Sequence, residues 1–151
     1  MALKNRLEND MKVALKARDT ARLGVLRMAL AALKQREIDS GHRAEGLAEN
    51  EALGVIERLI KQRREASEQF RNAGREDSAA AEDAEAKVLA EYLPEPVDAA
   101  TLDAEIKDAI REIGASSRRD MGKVMGILKA KLAGRADMSE VSRRVRDQLA
   151  D

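Results

Sequence analysis

Three observations predict an all-α fold for this chain. Ala, Leu, Glu, Lys and Arg dominate, and aromatics make up only 1% of 151 residues, so the aromatic and β-branched runs that build strands are missing. Apolar residues recur at spacings of three and four along most of the chain. Charged residues, at 37%, interleave with them as solvated helix faces require, while 44% apolar residues leave enough for a core.

Leu3, Leu7, Met11 and Leu15 step by four and mark a first amphipathic helix. Asp19 caps a second, with Leu23, Leu26, Leu30, Leu33 and Ile38 on its inner face. From Asp39 to Glu49 the pattern fades into a polar loop with Gly41, Gly46 and the only histidine, His42. A long third helix is expected from Asn50 to Ala73, with Leu53, Ile56, Leu59, Ile60 and Phe70 inward and Gly74 ending it. Asp77 or Ser78 opens a fourth, Ala- and acid-rich helix that closes around Val88-Leu89 and Tyr92-Leu93.

Pro94-Glu95-Pro96 is the clearest boundary, since two prolines this close cannot continue a helix. It divides an N-terminal four-helix domain, residues 1–94, from a C-terminal three-helix domain, residues 97–151. In the latter, Asp98 caps a helix bearing Leu102, Ile106, Ile110 and Ile113 that Gly114 stops. Ser117 and Asp120 form a capping box for a short helix with Met121, Val124, Met125, Leu128 and Leu132 as its buried stripe. Gly134 sits where a left-handed C-terminal cap belongs, and Asp137 caps a last helix with Val141, Val145 and Leu149.

Gly122 and Gly126 stand out in that short helix. Each costs about 1 kcal/mol relative to alanine in a helix interior. They lie four apart on one face, where something can approach the backbone closely.

Four separated segments carry a family resemblance. Asp120-Met-Gly-Lys-Val-Met-Gly126 with Gly134-Arg-Ala-Asp137 resembles the signature of the YqeY family. Arg27-Met28, Arg63-Arg64-Glu65 through Phe70 to Ala73-Gly74-Arg75, and Glu91-Tyr-Leu-Pro94 match it in the same order, so the likeness covers essentially the whole chain. Met138 stands where the family has a glycine, which bears on the turn at Asp137, and Pro96-Val97 replaces a more usual Gln-Leu. The resemblance implies kinship with the tail domain of the B subunit of tRNA-dependent amidotransferases (GatB), a tRNA-contacting module. Any carbon–nitrogen ligase label with glutamine as amido donor would be inherited through that kinship, because the glutaminase and kinase modules are absent from this sequence.

Composition excludes several chemistries. Without cysteine there are no disulfides and no thiolate metal site, and the chain suits a reducing cytoplasm. No apolar run approaches the ~18 residues of a membrane span, and no signal-peptide apolar region opens the chain, so a soluble cytoplasmic protein without membrane contact is expected. No serine lies in a Gly-x-Ser-x-Gly context, no Walker-type loop is present, and His42 has no partner beside it in sequence. No catalytic residue, metal ligand or cofactor is assigned.

The net charge of +0 hides an uneven distribution. From Ile113 to Arg146 nine Lys or Arg face three acids (Asp120, Asp137, Glu140), while Asp77 to Glu95 carries six acids and only Lys87. Arg118, Arg119 and Lys123 flank a helix N-terminus, whose free N–H groups and dipole attract phosphate. Gly122 and Gly126 open the backbone beside them, and Arg135 adds a bidentate fork. The plainer alternative is that the glycines admit a neighbouring helix and the charges solvate the surface. Arg63, Arg64, Arg71 and Arg75 read as helix salt bridges, Tyr92 as a packing residue, and Met28, Met121 and Met125 as core filler.

The leading expectation is therefore an accessory, non-catalytic tRNA-binding protein, recognising shape and phosphate because the second domain lacks stacking aromatics. The alternative is a protein-interaction module docking on an aminoacyl-tRNA synthetase or amidotransferase subunit. An enzymatic reading would need a metal or cofactor for which the sequence shows no ligands.

Overall fold

The computed structural model describes residues 2–149. Among them lie seven α-helices and no strand: α1 (Leu3–Lys16), α2 (Thr20–Asp39), α3 (Glu49–Asn72), α4 (Glu76–Ala90), α5 (Ala99–Ile113), α6 (Met121–Leu132) and α7 (Met138–Gln148). The all-α class is as the sequence predicts. Two compact units form, Met1–Leu93 and Pro94–Asp151, each around its own apolar cluster.

In the first unit α1 and α2 form a helical hairpin. The Asp19 carboxylate caps α2 by accepting the Arg22 N–H at 3.1 Å. The turn before it closes with Arg18 at φ +57, Asp19 N–H donating to the Ala14 carbonyl at 3.0 Å. Two expected inward positions face out instead. Leu15 is 57% exposed while Ala14 is buried, and Ile38 is 36% exposed while Glu37 is buried. Helical rotation explains both. At ~100° per residue, the side chain twelve residues after Leu3 or Leu26 has turned ~120° away, whereas eleven residues bring it back within ~20°. Glu37 thus lands on the line of Leu26 and Leu33, and its buried carboxylate takes the Lys4 ammonium at 3.1 Å.

α3 and α4 make the most extensive helix pair. Val55, Ile56 and Ile60 are buried on α3, and Ala79, Ala86 and Leu89 on α4, where the small alanines let the helices approach closely. Phe70 is only half-buried, with the Arg75 guanidinium 4.8 Å over its ring. Of the arginines late in α3, Arg63 and Arg71 are salt-bridged, but to acids of α4 and not by the expected pairs within their own helix. Arg63 meets Glu85 at 2.9 Å, and Arg71 spans Glu76 at 3.1 Å and Asp83 at 3.0 Å. Gly74 at φ +74 turns the chain. α4 then begins at Glu76, earlier than Asp77 or Ser78, with no side chain capping it. Glu76 and Asp77 occupy its first turn, where the dipole favours carboxylates.

In the second unit α5, α6 and α7 pack in a three-helix arrangement. Asp98 caps α5 by accepting the Thr101 N–H at 2.7 Å, and Gly114 ends it at φ +70. Leu102, Ile106, Val124, Leu128, Leu132, Val141 and Val145 form the core, with Met121 and Met125 half-buried against it as filler.

Candidate nucleic-acid interface

A 3₁₀ turn, Arg118–Asp120, leads into α6. Its end groups are satisfied by a displaced version of the expected capping box. Ser117 Oγ accepts the Arg119 N–H at 3.3 Å, and Asp120 accepts the N–H of Ser116 at 3.0 Å. A regular box would use the N–H groups of Asp120 and Ser117 themselves. The tighter 3₁₀ turn instead bonds Asp120 N–H to the Ser117 carbonyl at 3.1 Å. The backbone N–H of Ser116 and, more weakly, that of Ser117 hold the Asp120 carboxyl below its usual pKa, helped by Lys123 and Arg119. A carboxylate therefore sits among the nominated cations.

At the far end of α6, Gly134 is left-handed at φ +76, but it does not cap the helix directly. Ala133 lies between, at φ −53 and ψ 124, and the Arg135 N–H donates to the Leu132 carbonyl at 2.8 Å. These values make a type II turn with Gly134 at the position that demands positive φ. Arg135 is also stitched to the linker. Its Nε donates to the Glu95 carbonyl at 3.2 Å, and Val97 N–H donates to the Arg135 carbonyl at 3.0 Å. One edge of its fork is thus used within the fold, leaving the terminal nitrogens to bind elsewhere. The Asp137 cap forms without the glycine at 138, its carboxylate accepting the Ser139 N–H at 3.0 Å.

Arg118, Arg119, Lys123, Gly122, Gly126 and Arg135 are all exposed. Arg119, Gly122, Lys123 and Gly126 follow one another at helical spacing and share a ridge. A Cβ added at Gly122 or Gly126 would meet nothing within 4 Å. No neighbouring helix uses those glycines within the described residues. Arg135 is not brought beside Arg118 and Lys123. It lies beyond the other end of α6, whose twelve residues span ~18 Å.

Sequence reasoning left Lys129 out of the site. It is exposed and three residues past Gly126, so extending the ridge by one turn would have found it. The reading also overstated the charge. Lys131 lies 4.0 Å from Glu105 and 3.9 Å from Glu112, and Arg144 lies 2.9 Å from Asp103, so acids of α5 fold onto part of the basic excess.

The other sequence-nominated residues lie elsewhere. His42 Nδ1 is 3.3 Å from Ser40 Oγ and 3.9 Å from the Glu51 carboxylate, so both neighbours meet the same ring nitrogen, and the Ser40 hydroxyl already donates to the Arg36 carbonyl at 2.7 Å. Among the described residues, no group of His, Asp and Glu is arranged to hold a metal ion, and no helix is long and apolar enough to cross a membrane.

Residues 4–149 match the family described as Yqey-like protein. The chain is also similar to two proteins named "Altered inheritance of mitochondria protein 41, mitochondrial". That of Pyrenophora tritici-repentis is 31% identical over 146 residues, 94% of this chain and 78% of the relative. That of Lachancea thermotolerans is 30% identical over 113 residues, 74% of this chain and 59% of the relative.

Proposed function

The chain belongs to the Yqey-like family, and from that premise we propose that it is an accessory, non-catalytic RNA-binding protein that holds a tRNA against α6. The observation that carries this reading is the open ridge of Arg119, Gly122, Lys123 and Gly126, where exposed cations flank two glycines at which an added Cβ would meet nothing within 4 Å. A phosphodiester chain can approach such a ridge closely, and guanidinium and ammonium groups neutralise it. From Lys123 to Leu132 the helix rises ~14 Å before the turn that carries Arg135, a spread of cations that suits a polymeric anion better than one phosphate. The second unit has no aromatic residue, so recognition would rest on shape and phosphate.

The kinship with glutamine-dependent tRNA amidotransferases implied by the sequence motifs is part of this proposal. So is a supporting role without independent catalysis. Both relatives are named mitochondrial; for this chain we infer the cytoplasm, whose reducing conditions suit its lack of cysteine. The uncovered glycines also favour a second reading, in which a helix of an aminoacyl-tRNA synthetase or amidotransferase subunit packs there.

Fluorescence anisotropy of labelled bulk tRNA, with the wild type and an Arg118→Ala/Lys123→Ala/Arg135→Ala variant, tests the proposal. Saturable binding that the folded variant loses supports it. Absence of binding at low salt overturns it in favour of the protein partner.

A further inference from the structure

The first unit carries a different surface. Between α1 and α2 runs an open groove of about 620 Å³. Its floor is aliphatic: Met11 and Leu30 rest on the core from one side and line the groove on the other, and Ile38 extends the floor at 36% exposure. Two ridges wall it. Lys4, Glu8 and Lys12 repeat at four-residue intervals on α1, and on α2 Lys34 rises to the rim between the floor residues Leu30 and Ile38 at the same spacing. Each ridge runs ~12 Å, just over two helical turns.

The charges of the walls are unequal. Glu37 is buried against the Lys4 ammonium at 3.1 Å, so that pair cancels inside the fold. Lys12, Lys34 and Arg43 remain around the rim against Glu8 alone. A partner seated here must bring apolar groups for the floor and carboxylates for the rim.

We propose that this groove is a docking seat for an acidic amphipathic helix of a partner protein. Two parallel ridges of this length with an aliphatic floor match the helix-in-groove mode, in which apolar anchors at i, i+3 or i+4 and i+7 enter the groove. Lys12 and Lys34 stand on opposite walls, so glutamates flanking the apolar stripe on either side find a cation. Nucleic acid fits poorly, because phosphates gain nothing from Met11, Leu30 and Ile38 and no aromatic ring lines the groove for a base to stack on. The seat is independent of the α6 ridge, so either reading can fail without the other.

The test is an amide NMR titration of the full chain with a synthetic amphipathic helix of leucines flanked by glutamates. The same peptide with lysines for glutamates, a tRNA and anionic vesicles serve as competing probes. Saturable shifts of α1 and α2 amides around Met11, Leu30 and Ile38 with the glutamate peptide are expected. Ile38→Asp should weaken binding at least about tenfold. Lys34→Glu should weaken the glutamate peptide and strengthen the lysine one, a swap that misfolding cannot mimic. Equal binding of both peptides to the wild type, no saturable shift, or shifts there from tRNA or vesicles alone would overturn the proposal.

Discussion

The Tyr92 hydroxyl donates a hydrogen bond to the Asp10 carboxylate, tying the last turn before Pro94 to the first helix across 82 residues of sequence. The ring is buried at 2% exposure, and the Arg6 guanidinium lies 5.1 Å over it. Arg22 reaches Glu91 at 2.5 Å beside it, so two neighbouring residues of the Glu91-Tyr-Leu-Pro94 segment are each held by a helix of the α1–α2 hairpin.

Burial, and then the bond to Asp10, push the Tyr92 phenol up to about 12. An unfolded tyrosine ionises near ~10. Between these values the unfolded chain has lost the proton and the folded chain keeps it. The contribution is therefore full below about pH 10 and is lost as pH rises toward 12. Tyr92→Phe should cost about 1–2 kcal/mol at neutral pH, because it leaves the Asp10 carboxylate without this donor. It should also flatten the alkaline loss. Urea denaturation at pH 7, 9 and 11 for both proteins checks the pair of effects.

Arg18 adopts φ +57, a conformation that costs an L-residue with a side chain ~1 kcal/mol or more. Arg18→Gly should stabilise the protein by about 0.5 kcal/mol once the greater freedom of glycine in the unfolded chain is subtracted. A raised urea midpoint with an unchanged denaturant slope would bear this out, whereas a lowered midpoint would mean that the side chain contributes contacts of its own.

Gly126→Ala should raise stability by about 1 kcal/mol and Gly122→Ala, in the first turn of α6, by less, since both sites are helical and an added methyl meets nothing. If the glycines serve close approach by RNA, the same substitutions should weaken tRNA binding. Opposite movement of the two readouts, thermal melt and anisotropy, is the expected result. Unchanged binding in the stabilised variants would leave the glycines without a role in RNA contact.

Helix order was legible in the sequence because apolar spacing, the Asp19, Asp98 and Asp137 caps and the Pro94-Glu95-Pro96 break all act locally. What misled was drift and tertiary pairing. A step of four put Leu15 inside, and extending the apolar series past Leu33 did the same for Ile38, although eleven residues, not twelve, close three turns, so Ala14 and Glu37 took those places. At the candidate site, Gly122 and Gly126 are exposed, with open space where a Cβ would sit. The carbonyl that occupies Arg135 Nε and the α5 acids that meet Lys131 and Arg144 lie far away in sequence, and no local pattern announces them.

The most direct test of the α6 reading is the salt dependence of tRNA affinity for the wild type and for Arg119→Ala/Lys123→Ala. With two phosphate contacts removed, the slope of log affinity against log salt should become shallower by about 2, with weaker binding at low salt and an unchanged melting curve. A folded variant that keeps the wild-type slope and affinity would contradict the account, and the ridge would then not be where RNA is held.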